Sequence, residues 1–387
     1  MKSLAGTEQR KRDHIRINLE QDVGAVETTT GFERYQLVHA ALPELDLRDI
    51  DPSTVFLGHN LAAPILISSM TGGVERGAEI TRRLARAAQA LGCAIGVGSQ
   101  RAGLEDPSLA GHFAVRDVAP DVLLFANLGA VQLNYGFGPG ECRRAVEMIE
   151  ADALFLHLNP LQEALQPEGN RDFSGLLRKI EAVCTLSDVP VVVKEVGCGI
   201  STAVAAQLAS IGVAAIDVSG AGGTSWSAVE HHRATTVLGR RLSETFVDWG
   251  IPTAVSLRMA REGAPHLPLI ASGGLRTGLD AAKAIALGAG LAGFAGPLLK
   301  AAATGEHETF TLLTALIEEV RLAMFCSGAA TIPELQQVDL LVDGADVVRR
   351  RSGDLLFQTS PDGHADPESP IDLAAWMNER HGRAKER

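Results

Sequence analysis

The residues best suited to chemistry follow short apolar runs in this sequence. His157, Asn159, Gln162 and Glu163 lie in the segment HLNPLQE, directly after the apolar run 153–156. A carboxylate or an imidazole can exchange protons or bind ions, whereas a neutral amide mainly orients a ligand through hydrogen bonds. On residue type alone, His157 fits a buried histidine with satisfied hydrogen bonds as well as it fits a functional one.

Seven other apolar runs end in polar residues, methionine or glycine in the same way. After these runs stand Ser69, Met70 and Thr71; Ser99, Gln100 and Arg101; Asn127; Lys194 and Glu195; Ser219 and Thr224; Ser272 and Gly273; and Gly296. In a barrel of parallel strands, the residues just beyond the strand ends face one active mouth. Ordinary loop starts explain any single case, but eight in the same position indicate a site.

Two glycine-containing segments follow the seventh and eighth runs. They are SGGLRTG at 272–278 and AGP at 295–297. Loops in these positions supply the backbone N–H groups and helix start of the usual barrel phosphate site, although two tight glycine turns would look alike. Lys194 closes the apolar run VPVVV, so its ammonium should meet an anion or an electron-rich ring, or form a salt bridge with Glu195.

Other segments are less specific. GFGPG at 136–140 and SGAGG at 219–223 do not complete a dinucleotide-binding G-x-G-x-x-G motif, and we interpret them as flexible loops. The run Arg10-Lys11-Arg12 is either a solvated tail or a cationic segment that closes over a polyanionic ligand from the edge of the barrel.

The spacing of the runs predicts the fold. Each run is followed by a segment with helical periodicity, and the repeat has the length of one strand, one helix and two loops. Continuously apolar strands alternating with amphipathic helices are covered on both faces. Eight such units over about residues 64–300 favour a single (β/α)₈ barrel in the α/β class, with an open doubly wound sheet as the alternative.

The remaining chain divides around this barrel. We predict an N-terminal extension over 1–63 that closes over the barrel, a barrel with a C-terminal helix over 64–345, and a loosely ordered tail over 346–387. About fifty residues separate AAIDVS from LPLIAS, which predicts an insertion with helices after the sixth strand.

Composition excludes several classes of function. The chain has 387 residues, of which 46% are hydrophobic and 21% charged, and a net charge of −12. An acidic chain is a poor match for nucleic acid or anionic membranes. Five widely spaced cysteines without zinc spacing, together with the lack of an export signal or apolar span, predict a cytoplasmic protein.

Together, the motifs resemble a known family. RKRDHI, SSMTGG, GVGSQRAGL, FANLGA, HLNPLQE, PVVVKEVGCGIS, SGAGGTSW and ASGGLRTGLDAAKAIALGA are similar to the type 2 isopentenyl-diphosphate Δ-isomerases over about residues 8–345. The resemblance implies an FMN-dependent barrel enzyme that interconverts isopentenyl and dimethylallyl diphosphate with Mg²⁺ and with FMN kept reduced by NADPH. It also implies a homotetramer or homooctamer.

The resemblance also implies roles for individual residues. The FMN contacts would be Met70, Thr71, Ser99, Asn127, Lys194, Ser219, Thr224, Gly274, Leu275, Arg276, Ala295 and Gly296. The substrate contacts would be Arg10, Lys11, Ser99, Gln100, Arg101, His157 and Gln162. Gln162, Glu163 and His157 would form the catalytic group, with Glu163 as the Mg²⁺ ligand, while Asn159 receives no role. An FMN oxidoreductase and a flavin-binding scaffold without activity are the rival hypotheses.

Overall fold

Eight parallel strands form a closed barrel in this computed structural model, which describes residues 4–70, 72–344, 346–349 and 357–359. The barrel strands are β1 Ile65–Ile67, β2 Ala94–Gly96, β3 Leu124–Gly129, β4 Ala153–His157, β5 Val191–Lys194, β6 Ala215–Asp217, β7 Leu269–Ser272 and β8 Leu291–Phe294. Each strand pairs with the next, and β8 pairs with β1 through Ala292 and Ile65. The (β/α)₈ prediction is therefore confirmed, and the open sheet is excluded.

Helices surround the barrel and extend its two ends. They are α1 Leu4–Glu20, α2 Glu75–Leu91, α3 Arg101–Glu105, α4 Pro139–Ile149, α5 Pro160–Leu165, α6 Leu176–Leu186, α7 Thr202–Ala209, α8 Trp226–Arg233, α9 Val237–Thr245, α10 Thr253–Gly263, α11 Gly278–Ala286, α12 Gly296–Thr304, α13 Glu306–Cys326 and α14 Ile332–Leu335. Short 3₁₀ turns cover Phe32–Arg34, Leu47–Asp49, Pro107–His112 and Ala130–Asn134.

The apolar strands become barrel strands because both of their faces are covered. Inward side chains such as Phe125 and Phe155 stack with ring centroids 4.3 Å apart, and both are fully buried. Outward side chains of the strands pack against helix residues such as Ile80 and Leu84 of α2. Burying each such side chain contributes about 1.5–3 kcal/mol, so the hydrophobic effect fixes the barrel and leaves its mouth free to carry polar groups.

The N-terminal segment is held at the mouth of the barrel by the insertion after β6. Ile17 of α1 packs in a small apolar cluster with Val23 and with Val229 of α8. The carboxylate of Asp248 accepts hydrogen bonds from the backbone N–H groups of residues 26, 27 and 28, each at 2.9 Å. The predicted insertion therefore carries α8 and α9, and the N-terminal segment docks on its residues Val229 and Asp248.

Smaller sheets complete the structure. Strands Tyr35–Leu37, Leu340–Val342, Asp346–Arg349 and Phe357–Thr359 form one antiparallel sheet, while Thr54–Phe56 pairs with His59–Leu61. None of the helices in the described part of the chain is long and apolar enough to cross a membrane. The divisions at residues 63/64 and 345/346 stay predictions, and most of the predicted tail lies outside the described residues.

Candidate active site

The strand ends and α1 enclose one large cavity of about 810 Å³ at the carboxyl end of the barrel. Its lining includes residues that follow nearly every barrel strand, from Ser68 after β1 to Gly296 after β8. A volume in this range suits a cofactor or a medium-sized ligand. The predicted convergence of polar strand ends is thus realised at one mouth.

Asn159 orients the two residues that carry the proposed chemistry. Its Nδ2 donates to Gln162 Oε1 at 3.0 Å and to Glu163 Oε1 at 3.2 Å. Glu163 Oε2 also accepts a short hydrogen bond from the backbone N–H of Asn170. No described residue accepts a hydrogen bond from the amide NH₂ of Gln162, which lines the cavity and can therefore serve a ligand there. Asn159, which had no role in the sequence, therefore positions Gln162 and Glu163.

His157 is held as a neutral ring with a defined tautomer. Asn127 Nδ2 donates to Val97 O at 3.0 Å, so Asn127 Oδ1 faces His157 Nδ1 at 2.8 Å and accepts a hydrogen bond from the ring N–H. Burial, reinforced by the charge of Lys194, lowers the pKa of His157 to about 3. Its Nε2 thus carries a lone pair and no proton. His157 can donate a hydrogen bond to the substrate diphosphate through Nε2 only if the ring is protonated when the substrate binds.

Lys194 lines the cavity at the end of β5. Its Nζ donates to the backbone carbonyl of Glu195 at 2.7 Å, while the Glu195 carboxylate instead accepts from the N–H groups of Val196 and Gly197 at 2.7 and 2.8 Å. Burial lowers the pKa of the lysine, and the charges of Asp217 and Glu195 oppose this shift. The proposed side-chain salt bridge between Lys194 and Glu195 is therefore replaced by a contact with the main chain.

Helix α1 brings cationic groups to the mouth. Lys11 is 7% exposed, and its Nζ donates to Ser99 O at 3.2 Å above the ring of Phe113. Burial, with the charge of Arg10, lowers the pKa of Lys11 to about 7. Arg10 donates to Gln166 Oε1 at 3.3 Å. Arg10 and Lys11 of the cationic run therefore line the cavity and are not a solvated tail, whereas Arg12 is exposed.

The loops after β6 and β7 pack backbone against backbone. A Cβ atom on Gly223 would lie 2.5 Å from Gly274 N, and one on Gly274 would lie 2.6 Å from Gly222 O. Gly274 also has a φ of +82°, which favours glycine. The segment SGAGG is thus tightly packed, and our interpretation of it as a flexible loop is wrong.

The same face of the mouth fits a flavin phosphate. Gly274 and Arg276 of the loop after β7 line the cavity together with Gly296, where helix α12 begins. The hydroxyls of Ser68 and Ser69 line the cavity and are buried without a hydrogen-bond partner within the described structure. Orphaned hydroxyls and a helix start are what an anionic cofactor would use.

The structure places nearly all of the predicted site residues in the cavity wall. Gln100 is the exception, since it is fully buried, donates to Ala145 O at 2.7 Å and accepts from Asn127 N at 2.9 Å. The geometry therefore does not support a direct substrate contact, and Gln100 instead supports Asn127 from behind. Thr71 lies outside the described residues.

Several lining residues were missed in the sequence. His14 and Asn18 of α1 face the cavity with Arg10, and Gln166 extends the wall formed by Gln162. His14 lies 3.2 Å from the Glu230 carboxylate, and Gln166 donates to the same oxygen at 2.8 Å. Helical spacing from Arg10 would have shown these α1 positions had we predicted a helix there.

Known proteins support the class defined by fold and site, which is that of the FMN-dependent barrels. The model of the FMN-dependent dehydrogenase family matches residues 6–107 and 161–341. A solved mandelate oxidase with a monooxide FMN adduct covers 86% of this chain and 99% of its own, with a TM-score of 0.59 and 19% identity. Another mandelate oxidase structure gives a TM-score of 0.61 at 19% identity over 88% of this chain and 99% of its own. At such identity the likeness shows the fold alone.

Closer relatives define the family. An isopentenyl-diphosphate delta-isomerase of Nostoc sp. is 56% identical over 332 residues, covering 86% of this chain and 95% of its own. One of Rickettsia felis is 51% identical over 332 residues, covering 86% of this chain and 96% of its own. This chain belongs to the FMN-dependent isopentenyl-diphosphate delta-isomerase family.

Proposed function

We propose that this protein interconverts isopentenyl diphosphate and dimethylallyl diphosphate, using Mg²⁺ and FMN that NADPH keeps reduced. The observation that carries the proposal is the hydrogen-bonded group Asn159, Gln162 and Glu163 in the cavity at the carboxyl end of the barrel. It offers an amide donor and a carboxylate side by side. The relatives named as isomerases support the same activity.

The reaction moves one double bond by adding a proton at the terminal methylene and removing one beside the CH₂O group. When bound, reduced FMN supplies an electron-rich face and an exchangeable proton. Gln162 holds the alkene end of the substrate with its free NH₂ group, because a neutral amide is a poor acid or base itself. The neutral ring of His157 adds no positive charge beside the developing carbocation.

The proposed FMN contacts are those implied by the resemblance, except that Thr71 rests on the sequence alone. The cavity lining includes six of them, namely Met70, Ser99, Asn127, Lys194, Ser219 and Thr224. The phosphate of FMN would be held by Gly274 to Arg276 together with Ala295 and Gly296. Ser219 has a φ of +36°, a strained value for serine that is typical of residues held at a functional site.

The substrate diphosphate would lie against α1. Arg10, Lys11 and Arg101 offset its charge, and Glu163 provides a hard oxygen ligand for Mg²⁺. Within the described residues, no group of three or more His, Cys, Asp or Glu side chains forms a complete metal site. A single carboxylate fits Mg²⁺ because this ion keeps several waters and takes substrate phosphate oxygens.

Replacing Glu163 tests the metal assignment. In Glu163→Gln, we expect turnover to fall by at least about 100-fold and the Mg²⁺ requirement to shift upward, because a neutral amide is a weaker ligand for a hard cation. FMN should stay bound, as seen in the visible spectrum. Glu147→Gln, at an exposed position of α4, is the matched control and should behave as wild type. Full activity of the Glu163 variant would contradict the assignment.

An anaerobic assay separates the proposal from its rivals. An FMN oxidoreductase would consume one NADPH per product, whereas the isomerase uses NADPH only to reduce its flavin. We expect product to exceed the NADPH consumed many times over. A purified protein that binds FMN and stays inert with substrate would instead support the scaffold hypothesis.

The proposal includes a homotetramer or homooctamer in the cytoplasm. Val237, Leu238, Leu242 and Trp249 of the insertion are all exposed apolar side chains, with Trp249 at 62% exposure. Such a patch supports contact with a second copy. The cysteines are unpaired, as a reducing compartment requires. Light scattering coupled to gel filtration tests the assembly, and a monomer at all concentrations would contradict it.

A further inference from the structure

Asp217 is a fully buried carboxylate that the proposed chemistry does not use. It ends β6 in register with Lys194 at the end of β5. Its Oδ1 accepts from Ser272 Oγ at 2.7 Å and from Ser219 N at 3.2 Å. Its Oδ2 is buried and has no hydrogen-bond partner in the described part of the chain. A carboxylate in this position costs free energy unless a nearby charge compensates it.

The groups around Lys194 leave Asp217 as its compensating charge. On the β4 side, His157 is in register with Lys194 and is held neutral. On its own strand end, the Glu195 carboxylate is occupied by three backbone N–H groups. Asp217 on the β6 side is the largest of the charges that oppose the burial-induced drop in the pKa of Lys194.

We propose that Asp217 is a positioning residue whose negative charge, beside Lys194 on the neighbouring strand, keeps Lys194 protonated at the face of the cavity that takes the flavin. Ser272 and the Ser219 N–H hold the carboxylate in place from the neighbouring strand and loop. The consequence for FMN rests on the proposed function, whereas the charge pair itself belongs to the protein without cofactor.

The competing explanation is that Asp217 only anchors the loop after β6 by hydrogen bonds. Asp217→Asn separates the two, because asparagine keeps the size of the side chain and an acceptor for Ser272 and Ser219 but removes the charge. Ser272→Ala does the reverse. Lys194→Met and the double variant Lys194→Met/Asp217→Asn complete a cycle.

Urea unfolding of the apoprotein is the measurement. We expect both Asp217→Asn and Lys194→Met to lower the urea midpoint at neutral pH, since each leaves one buried charge unpaired. The double variant should recover a large part of the loss. Ser272→Ala should cause a smaller loss with an unchanged pH profile. A double variant no better than the worse single variant would overturn the proposal.

The pH profiles give a signature that hydrogen bonding alone does not produce. In Asp217→Asn, the folded state holds Lys194 with a lowered pKa and so binds fewer protons than the unfolded state, so stability rises with pH toward about 10.5. Burial already raises the pKa of Asp217, and the charge of Lys194 opposes this shift. In Lys194→Met the pKa of Asp217 therefore rises further, so stability falls more steeply than in wild type as pH rises from about 3.8. Parallel profiles for the two single variants would also overturn the pair.

The folding of Asp217→Asn and its affinity for FMN give two further tests of the charge pair. If Asp217→Asn does not fold, recovery of folding in the double variant supports the charge pair, and no recovery overturns it. FMN titration of folded apoprotein then tests the consequence. We expect the affinity of Asp217→Asn for FMN to fall as pH rises, over a range where wild-type affinity is flat. Because unfolding is measured without FMN or substrate, failure of the isomerase proposal would leave this result interpretable.

Discussion

Asn159 controls how two neighbouring side chains face the cavity. Its NH₂ group donates to both Gln162 and Glu163, and neither contact is visible in the order of the residues. In Asn159→Ala we expect kcat/KM to fall about 10- to 100-fold, which corresponds to the loss of about 1–3 kcal/mol from a buried hydrogen-bonded group. FMN binding should be retained.

A matched control distinguishes this effect from general damage. Asn134 donates to the carbonyls of Asp172 and Ser174 at 2.9 and 3.0 Å and does not line the cavity. Asn134→Ala should lower thermal stability without changing kcat/KM. Equal kinetic losses in the Asn134 and Asn159 variants would rule out the positioning role.

The lowered pKa of Lys11 predicts a pH dependence for substrate binding. Its pKa is about 7 in the unliganded protein, and a diphosphate favours the charged form. Above pH 7 the free protein must therefore take up a proton to bind substrate, so we expect KM to rise as pH rises, by up to about tenfold per unit. Below pH 7 this contribution should be flat.

Lys11→Arg provides the comparison for this profile. Arginine stays charged throughout the range, so the rise of KM above pH 7 should disappear. Identical KM profiles for wild type and Lys11→Arg would show that Lys11 does not titrate during binding.

At the scale of elements, helix α1 lies far from the barrel strands in sequence but completes the wall of the cavity. Ile17 is 1% exposed and packs against Val229 of the insertion. We expect Ile17→Ala to weaken this docking by about 2–5 kcal/mol, raise KM for the substrate and speed hydrogen exchange across α1. FMN, whose proposed site lies on the barrel strands, should remain bound.

Ile180→Ala is the matched substitution in α6. Ile180 is 2% exposed and packs in the main core. Its loss should lower global stability while KM stays near the wild-type value. A KM increase of the same size in both variants would mean that α1 docking is not what sets substrate affinity.

The elements also show what the sequence could and could not predict. Each predicted apolar run became a barrel strand, because strands buried on both faces leave an unmistakable continuous pattern. Helix α1 gave no such pattern, since only a few of its residues are apolar and these pack in different places, Ile15 in the main core and Ile17 on the insertion. Its position is a tertiary effect that periodicity does not encode.

At the scale of the whole molecule, barrel geometry predicts which residues lie at the mouth, but it does not predict where each side chain points. Barrel geometry places residues after the strands at one mouth, so Lys194 and His157 could be assigned to it from the sequence. Gln100 could not be judged this way, because it follows a strand yet turns into the wall behind Asn127. Asp217 did leave a signal, namely a charge inside an apolar run, and we passed over it.

Conversion of isopentenyl diphosphate in D₂O by the anaerobic, FMN-reduced protein tests the central claim most directly. We expect dimethylallyl diphosphate to accumulate with deuterium in a methyl group, as seen by NMR, while the NADPH consumed stays far below the product formed. Oxidation of one NADPH per product, or no conversion by protein that has bound and reduced FMN, would contradict the account.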